Sequence, residues 1–125
     1  MMGMEIKGKS GLTWRSHWAT VWAMVELRKT TDFARWLDGL CDLRARARVQ
    51  ARIARLANGH FGDCKLIGMG VSELRIDYGP GYRVYFIRQG ASLVILLAGG
   101  DKRRQAGDIK KAVRLAQDLE DLSDG

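Results

Sequence analysis

The sequence is poor in the residues that build disulfide frameworks and metal centres. It has two cysteines, two histidines and one proline among 125 residues. Cys41 and Cys64 are too few for a disulfide framework, and they stand in no CxxC or Cys/His spacing typical of zinc sites. With His17 and His60 as the histidines available, we expect no histidine-based metal site or catalytic triad. Cysteine usage of this kind is typical of a protein in a reducing cytosol.

Long hydrophobic runs are missing as well, whereas positive charge is in excess. The longest uninterrupted apolar run, Leu93–Ala98, is far too short to span a membrane. The 21 Lys+Arg exceed the 14 Asp+Glu, which gives a formal net charge of +7. This surplus indicates an anionic partner, either nucleic acid, an acidic protein or both, and charge alone does not choose between them. The length suits one domain with a single core.

Residues 1–23 differ in pattern from the rest of the chain. Three tryptophans, at positions 14, 18 and 22, recur at a spacing that predicts one face of a short helix. The regular alternation of apolar and polar residues begins only at Met24. We therefore interpret residues 1–23 as an N-terminal extension, peripheral to a domain formed by residues 24–125.

Periodic patterns after Met24 predict an α+β domain. The expected elements are a strand at Met24–Lys29, a helix capped by Thr30 or Thr31, a helix from about Asp42 to Ala57, strands at Cys64–Ile67, Glu73–Tyr78, Tyr82–Arg88 and Leu93–Ala98, and a final helix. Strands that cluster after helices are typical of α+β domains. We expect two N-terminal helices packed on a mainly antiparallel sheet of four to five strands, followed by a C-terminal helix.

Two arginines stand on the predicted hairpin between Glu73 and Arg88. Alternation places Arg75 and Arg83 on the face opposite the apolar side chains, near Tyr85. If both apolar faces point at the helices, these arginines share an open surface of the sheet. In the alternative interpretation they are solvated residues that pair with Asp77 or Glu73.

A second cationic cluster follows the last predicted strand, at Gly99-Gly100-Asp101-Lys102-Arg103-Arg104. The two glycines are predicted to end the sheet in a sharp turn that places the cations beside it. Such a cluster suits a phosphate, although the GxxxxGK[ST] pattern of a P-loop is missing. A solvated connector is the alternative.

A third set of cations lies on the second predicted helix. Its members share one stripe, because they follow one another at spacings of 4, 4 and 3: Arg44, Arg48, Arg52 and Arg55. A solvated helix face, contact with RNA and docking of an acidic partner segment all remain open for this stripe.

Several of these motifs, in their order and spacing, carry a family resemblance. They are Phe33-Ala34-Arg35-Trp36-Leu37, Ala45-Arg46-Ala47-Arg48, Phe61-Gly62-Asp63, Ser72-Glu73-Leu74-Arg75-Ile76, Tyr78-Gly79-Pro80-Gly81-Tyr82-Arg83-Val84-Tyr85-Phe86 and Leu96-Leu97-Ala98-Gly99-Gly100-Asp101-Lys102. From Met24 to about Glu120 the chain resembles the RelE/ParE superfamily of toxins from type II toxin–antitoxin modules. Within it, the chain is most similar to the addiction-module killer proteins, near the HigB-type toxins.

The resemblance implies a RelE-like sheet with an open, basic concave face, and a cognate antitoxin that is often a helix-turn-helix protein. RelE-type members are mRNA interferases, which cleave mRNA, typically in the ribosomal A site. The positions matching the family's functional residues are Arg75, Arg83 and Lys102 with the adjoining Arg103, and Lys65 is a looser match. Where RelE has a catalytic tyrosine early in the last helix, this chain offers Asp108.

The sequence is therefore interpreted as a cytoplasmic toxin that is an mRNA endonuclease. The ribose 2′-OH would serve as the nucleophile, so no metal or other cofactor is required. Arg75 and Arg83 would stabilise the transition state, and Lys102 or Asp108 would move the proton. The residues expected to bind RNA are Lys65, Tyr85, Arg103 and Arg104. The alternatives are a ParE-like inhibitor of DNA gyrase without nuclease activity and a non-catalytic RNA-binding module.

Overall fold

The computed structural model describes residues 25–124, which form a five-stranded sheet and three helices. The predicted extension and its tryptophan helix lie outside the described residues. In chain order the elements are β1 (Glu26–Lys29), α1 (Thr31–Asp38), α2 (Leu43–Ala57), β2 (Cys64–Gly68), β3 (Val71–Ile76), β4 (Tyr82–Gln89), β5 (Leu93–Asp101), a 3-10 turn (Lys102–Arg104) and α3 (Gln105–Asp124).

The sheet has the strand order β1-β5-β4-β3-β2. Its neighbours are antiparallel except for β1 and β5, which run parallel and make the sheet mixed. The predicted α+β class, the five strands and the C-terminal helix are confirmed. β1 and β5 can run parallel because no tight turn joins them: α1, α2 and the strands β2 to β4 lie between them in the chain.

Polar caps begin both of the first two helices. The Thr30 hydroxyl accepts a hydrogen bond from the Phe33 amide at 3.0 Å, and it donates one to the Leu97 carbonyl at 2.6 Å. Thr30 therefore starts α1 and ties it to the sheet with a single side chain. The Asp42 carboxylate accepts bonds from the amides of Arg44 and Ala45 at the start of α2. Each cap satisfies amides that the helix itself leaves unpaired.

Helices cover both faces of the sheet. One face packs against α1 and α2, and its buried side chains are Leu74, Ile76, Val84, Phe86, Val94 and Leu96. The other packs against Ala112 and Ala116 of α3. The small side chains of these two alanines let α3 lie close to the strands.

The coverage by α3 corrects the expectation of an open face at Tyr85. Tyr85 is 0% exposed and belongs to the apolar layer under α3. The prediction that Tyr85 binds RNA is therefore wrong, because the helix that follows the sheet occupies the space above its ring. The part of this face that stays accessible lies around Arg75 and Arg83, beside the turn that joins β3 to β4.

The two glycines of the GGDK motif lie inside a strand. β5 continues through Gly99 and Gly100 to Asp101, so the sharp turn predicted at the glycines is wrong. A Cβ on Gly99 would overlap the Trp36 ring, and one on Gly100 would overlap the Asp108 carboxylate. The chain turns only afterwards, where the Asp101 carboxylate accepts a hydrogen bond from the Arg103 amide at 2.9 Å.

The arginine stripe of α2 does not form one uniform surface. Arg52 donates hydrogen bonds to the carbonyls of Arg75 at 2.8 Å and Phe61 at 3.3 Å, so it joins the helix to β3 and the preceding loop. The Arg48 guanidinium lies over the Tyr78 ring, 4.8 Å from its centroid. Arg44 and Arg55 are exposed at the surface.

We expect Gly99→Ala to lower the free energy of unfolding by about 1 to 3 kcal/mol, because the added methyl group would overpack the site. The Trp36 ring cannot yield easily, since it also packs against Phe33 and Tyr82. Gly107→Ala in α3 is the matched control, because no atom lies within 4 Å of its added Cβ. There we expect stabilisation of about 0.5 to 1 kcal/mol. Urea unfolding measures both, and unchanged stability of Gly99→Ala would contradict the packing.

Candidate functional site

A polar cleft of about 490 Å³ lies at the end of the sheet where β3 stops and β4 begins. It is lined by Asp63, Arg75, Asp77, Gly79, Pro80, Gly81, Arg83 and Lys102. Three of the four residues predicted to be catalytic, Arg75, Arg83 and Lys102, therefore share one cleft.

The hairpin between β3 and β4 brings these cations together. Arg75 is the register partner of Arg83, which puts both on the same face. The connecting turn uses Gly79 and Gly81 at φ of 56° and 82°, a region that L side chains rarely adopt. The Gly81 carbonyl accepts a hydrogen bond from the Lys102 amide at 2.9 Å, which holds the end of β5 against the turn.

Arg83 is the most buried of the three cations. Its side chain is 12% exposed, and its Nε lies 3.8 Å from Glu73 Oε1. The Glu73 side chain is 2% exposed, and its other oxygen accepts a hydrogen bond of 2.7 Å from Gln105. Burial and the neighbouring Glu73 carboxylate raise the pKa of Tyr85, so its phenol stays protonated. Gln105 thus holds the Glu73 carboxylate in place, and Glu73 in turn positions the Arg83 guanidinium.

The sequence indicated Glu73 only as a partner for solvated arginines. The signal for a deeper role was its place on the same strand face as Arg75, two residues away. Nothing in the spacing pointed to Gln105, because its contact with Glu73 joins α3 to β3 across 32 residues of chain.

Arg75 is half-exposed and forms a surface ion pair. Its Nη2 donates to Asp63 Oδ1 at 3.1 Å, with the two side chains 43% and 59% exposed. The backbone beneath is well anchored, because the Arg75 amide donates to the Asp63 carbonyl at 2.9 Å. Solvated pairs of this kind contribute little to stability, so the guanidinium can exchange Asp63 for another anion at low cost.

The cations of the 3-10 turn have different surroundings. Lys102 is exposed, and within residues 25–124 its ammonium group makes no hydrogen bond or ion pair. Arg103 pairs with Asp101 at 3.2 Å. Hydrogen bonds from the Arg103 side chain and amide hold the pKa of Asp101 below its ordinary value. Arg104 lines a separate pocket, and the exposed Lys65 lies on β2 outside the cleft lining.

Asp108 does not reach the cleft. It lies against Gly100 and lines the pocket that Arg104 and Lys111 also line. Burial raises the pKa of Asp108, although the charges of Arg104 and Lys111 act in the opposite direction. The carboxylates of the cleft are instead those of Asp63 and Asp77.

The cleft has the chemistry of an oxyanion site. Arg75 Nε and Arg83 Nε are both buried, and neither has a hydrogen-bond partner among the described residues. The two guanidiniums and the ammonium outnumber the carboxylates of Asp63 and Asp77 in the cleft, and their donors match the oxygens of a phosphate diester. In residues 25–124 no three His, Cys, Asp or Glu side chains come together as a metal site. Neither does any helix there have the length and apolar character needed to cross a membrane.

Comparison with known proteins adds one relative. No family model matches the sequence. Over 95 residues the chain is 53% identical to an uncharacterized protein of Haemophilus influenzae, an alignment that covers 76% of this chain and 96% of that protein. The chain belongs to the same family as this Haemophilus influenzae protein.

We expect Glu73→Gln to lower the free energy of unfolding by about 2 to 3 kcal/mol, because it leaves the buried Arg83 without a counter-charge. In a double-mutant cycle, Glu73→Gln combined with Arg83→Met should cost less than the sum of the two single changes. Glu120→Gln, at an exposed position of α3, serves as the control and should leave stability unchanged. Additive effects in urea unfolding would contradict the coupling of Glu73 with Arg83.

Proposed function

We propose that this protein is the toxin of a type II toxin–antitoxin module, with a RelE-like fold, and that it cleaves mRNA in the cytoplasm without a metal ion. The observation that carries the proposal is the convergence of Arg75, Arg83 and Lys102 on one polar cleft. The resemblance of the ELRI, GYR and GGDK motifs to the RelE/ParE toxins supports it.

In the proposed reaction the scissile phosphate of RNA enters the cleft. The ribose 2′-OH attacks the adjacent phosphorus and the bond from phosphorus to the 5′-oxygen breaks. The products are a 2′,3′-cyclic phosphate and a 5′-OH. Negative charge grows on the non-bridging oxygens in the transition state, and the guanidiniums of Arg75 and Arg83 stabilise it. Because Glu73 and Gln105 hold Arg83 in place, little reorganisation is needed when that charge develops.

Two groups of the cleft are suited to the proton transfers. Asp77 is exposed, and no side chain of the described residues pairs with it, so its carboxylate is available to accept the proton of the 2′-OH. The ammonium group of Lys102 is equally available to protonate the leaving 5′-oxygen. Asp108, which stands outside the cleft, takes no part in this scheme.

Lys102→Met gives the cleanest test of the nuclease. We expect it to reduce RNA cleavage roughly a hundredfold, the usual cost of one transition-state contact, while the fold is preserved because Lys102 is exposed. Cleavage is measured by primer extension on a reporter mRNA, with and without ribosomes and in the presence of EDTA. Arg114→Met, on an exposed position of α3 outside the cleft, is the matched control.

Arg83→Lys should restore only part of the activity lost in Arg83→Met, because an ammonium replaces a planar, two-pronged donor. Two results would contradict the nuclease, and a third would contradict the role of the cleft in it. Growth arrest with intact mRNA and blocked supercoiling would favour a gyrase inhibitor. No arrest on expression of the unaltered chain would favour a non-catalytic RNA-binding module. Equal cleavage by Lys102→Met and Arg114→Met would remove the cleft from the mechanism.

The proposed partner is a cognate antitoxin that presents an acidic segment. The exposed Arg44 and Arg55 on α2 and the cations of the cleft offer positive charge on both sides of the α2–β3 junction. We expect the association rate to fall steeply between low and physiological salt, because opposite charges steer the encounter. Stopped-flow binding with the protein encoded beside this gene measures the rate. A rate independent of ionic strength would contradict the electrostatic docking.

A further inference from the structure

The polar cleft beside the β3–β4 turn holds nearly as many carboxylates as cations. Three cations and two carboxylates line it, and the carboxylates are those of Asp63 and Asp77. Behind the lining, Glu73 faces Arg83 at 3.8 Å and offsets part of the remaining charge. The excess of positive charge in the cleft is therefore at most one unit, although the whole chain has a net charge of +7.

One of these carboxylates stands where a ligand has to bind. Asp63 Oδ1 lies 3.1 Å from Arg75 Nη2, and both side chains are partly exposed. A pair of this kind is weak in solvent, so a phosphate oxygen can take the place of the carboxylate oxygen. Asp77, by contrast, has no partner among the side chains of the described residues. Asp63 is therefore the carboxylate that a phosphate at Arg75 has to displace.

The loop that carries Asp63 is anchored through its backbone. The Asp63 carbonyl accepts a hydrogen bond of 2.9 Å from the Arg75 amide. Arg52 donates to the Phe61 carbonyl at 3.3 Å and to the Arg75 carbonyl at 2.8 Å, which ties the loop to β3. Gly62 has a φ of 64°, and the Arg52 guanidinium fills the space that a Cβ there would take. Because this backbone is fixed, a displaced Asp63 carboxylate stays close to the phosphate that displaced it.

We infer that Asp63 is a specificity-determining residue of the cleft, and that it favours a singly charged phosphate diester over the doubly charged phosphate at the end of a strand. Both kinds of phosphate offer oxygens that accept hydrogen bonds from the cations. They differ in charge, because a terminal phosphate carries about −1.5 to −2 near neutral pH and an internal diester carries about −1. The second charge meets no further cation among the residues that line the cleft, and the Asp63 carboxylate repels it.

The inference rests on the proposed function, because that function supplies the phosphate of RNA as the ligand. An internal diester is the group that an endonuclease cleaves, and strand ends, free nucleotides and inorganic phosphate compete with it for the cations. These competitors all carry the second charge near neutral pH. Asp63 would thereby direct the cleft to positions within a strand and keep it free of small phosphates.

The test compares methyl phosphate, a dianion at about pH 8, with dimethyl phosphate, a monoanion of similar shape. Each is titrated at constant ionic strength into the full-length protein, and binding is followed by the NMR signal of the Gly81 amide in the cleft lining. We expect Asp63→Asn to strengthen binding of dimethyl phosphate about threefold and binding of methyl phosphate about tenfold. The gain is larger for the dianion because the lost repulsion acts on two charges.

Two further variants serve as controls. Asp63→Glu retains the charge, so it should keep the ratio of the two affinities close to that of the unaltered protein. Asp118→Asn removes a carboxylate from an exposed position of α3 outside the cleft lining, and it should leave both affinities unchanged. Thermal unfolding checks that each variant is folded, which we expect because both side chains are exposed.

Four outcomes would overturn the inference. They are equal strengthening of both ligands by Asp63→Asn, the same effect in Asp118→Asn, weaker binding of both ligands in Asp63→Asn, and binding of neither ligand. Weaker binding would mean that Asp63 holds Arg75 in place for the anion. Failure of the nuclease would look different, because this titration requires no cleavage. Loss of RNA cleavage with the charge preference intact would contradict the proposed reaction alone.

Discussion

The buried carboxylate of Glu73 is the constraint on which the arrangement of this protein depends. It lies between the sheet and α3, where an isolated charge would be very costly, so its partners must stay in place. Gln105 meets it from the first turn of α3, and Arg83 meets it from β4. One interaction thus joins the last helix to the centre of the sheet and fixes the most buried cation of the cleft.

The position of α3 divides one face of the sheet into two regions. Where Ala112 and Ala116 meet the strands, the face is an apolar core that includes Tyr85. Beyond the start of α3 the face is open, and Arg75 and Arg83 border a polar cleft there. Three cations thus meet at one end of the sheet, whereas others, such as Arg44 and Arg55, lie exposed on α2.

Gly99 and Gly100 show how one short motif serves both faces of the sheet. Because successive residues of a strand point to opposite sides, the first glycine admits Trp36 of α1 and the second admits Asp108 of α3. Two helices can therefore approach the bare edge of β5 closely. The turn that follows carries Lys102 towards the cleft and Arg104 towards the separate pocket that Asp108 and Lys111 also line. The GGDK motif and the turn after it therefore supply residues to both polar cavities: Lys102 to the cleft and Gly99 to the second pocket.

The sequence by itself determined the elements and which strand residues share a face. Apolar alternation predicted the hairpin of β3 and β4, and Thr30 and Asp42 marked the helix starts that the structure has. The same alternation grouped Arg75 with Arg83, because a strand's two-residue period is a local property.

Only the tertiary structure decided what covers each face. The alternation placed Tyr85 with the two arginines, and it is the packing of α3 that buries the tyrosine and leaves the cleft open. The same packing separates Asp108 from the cleft, and pairing with Val84 and Arg83 of β4 keeps Gly99 and Gly100 in β5. These outcomes depend on contacts between residues far apart in the chain. A local pattern sets the direction in which a side chain leaves the backbone, and the distant helix determines what it meets.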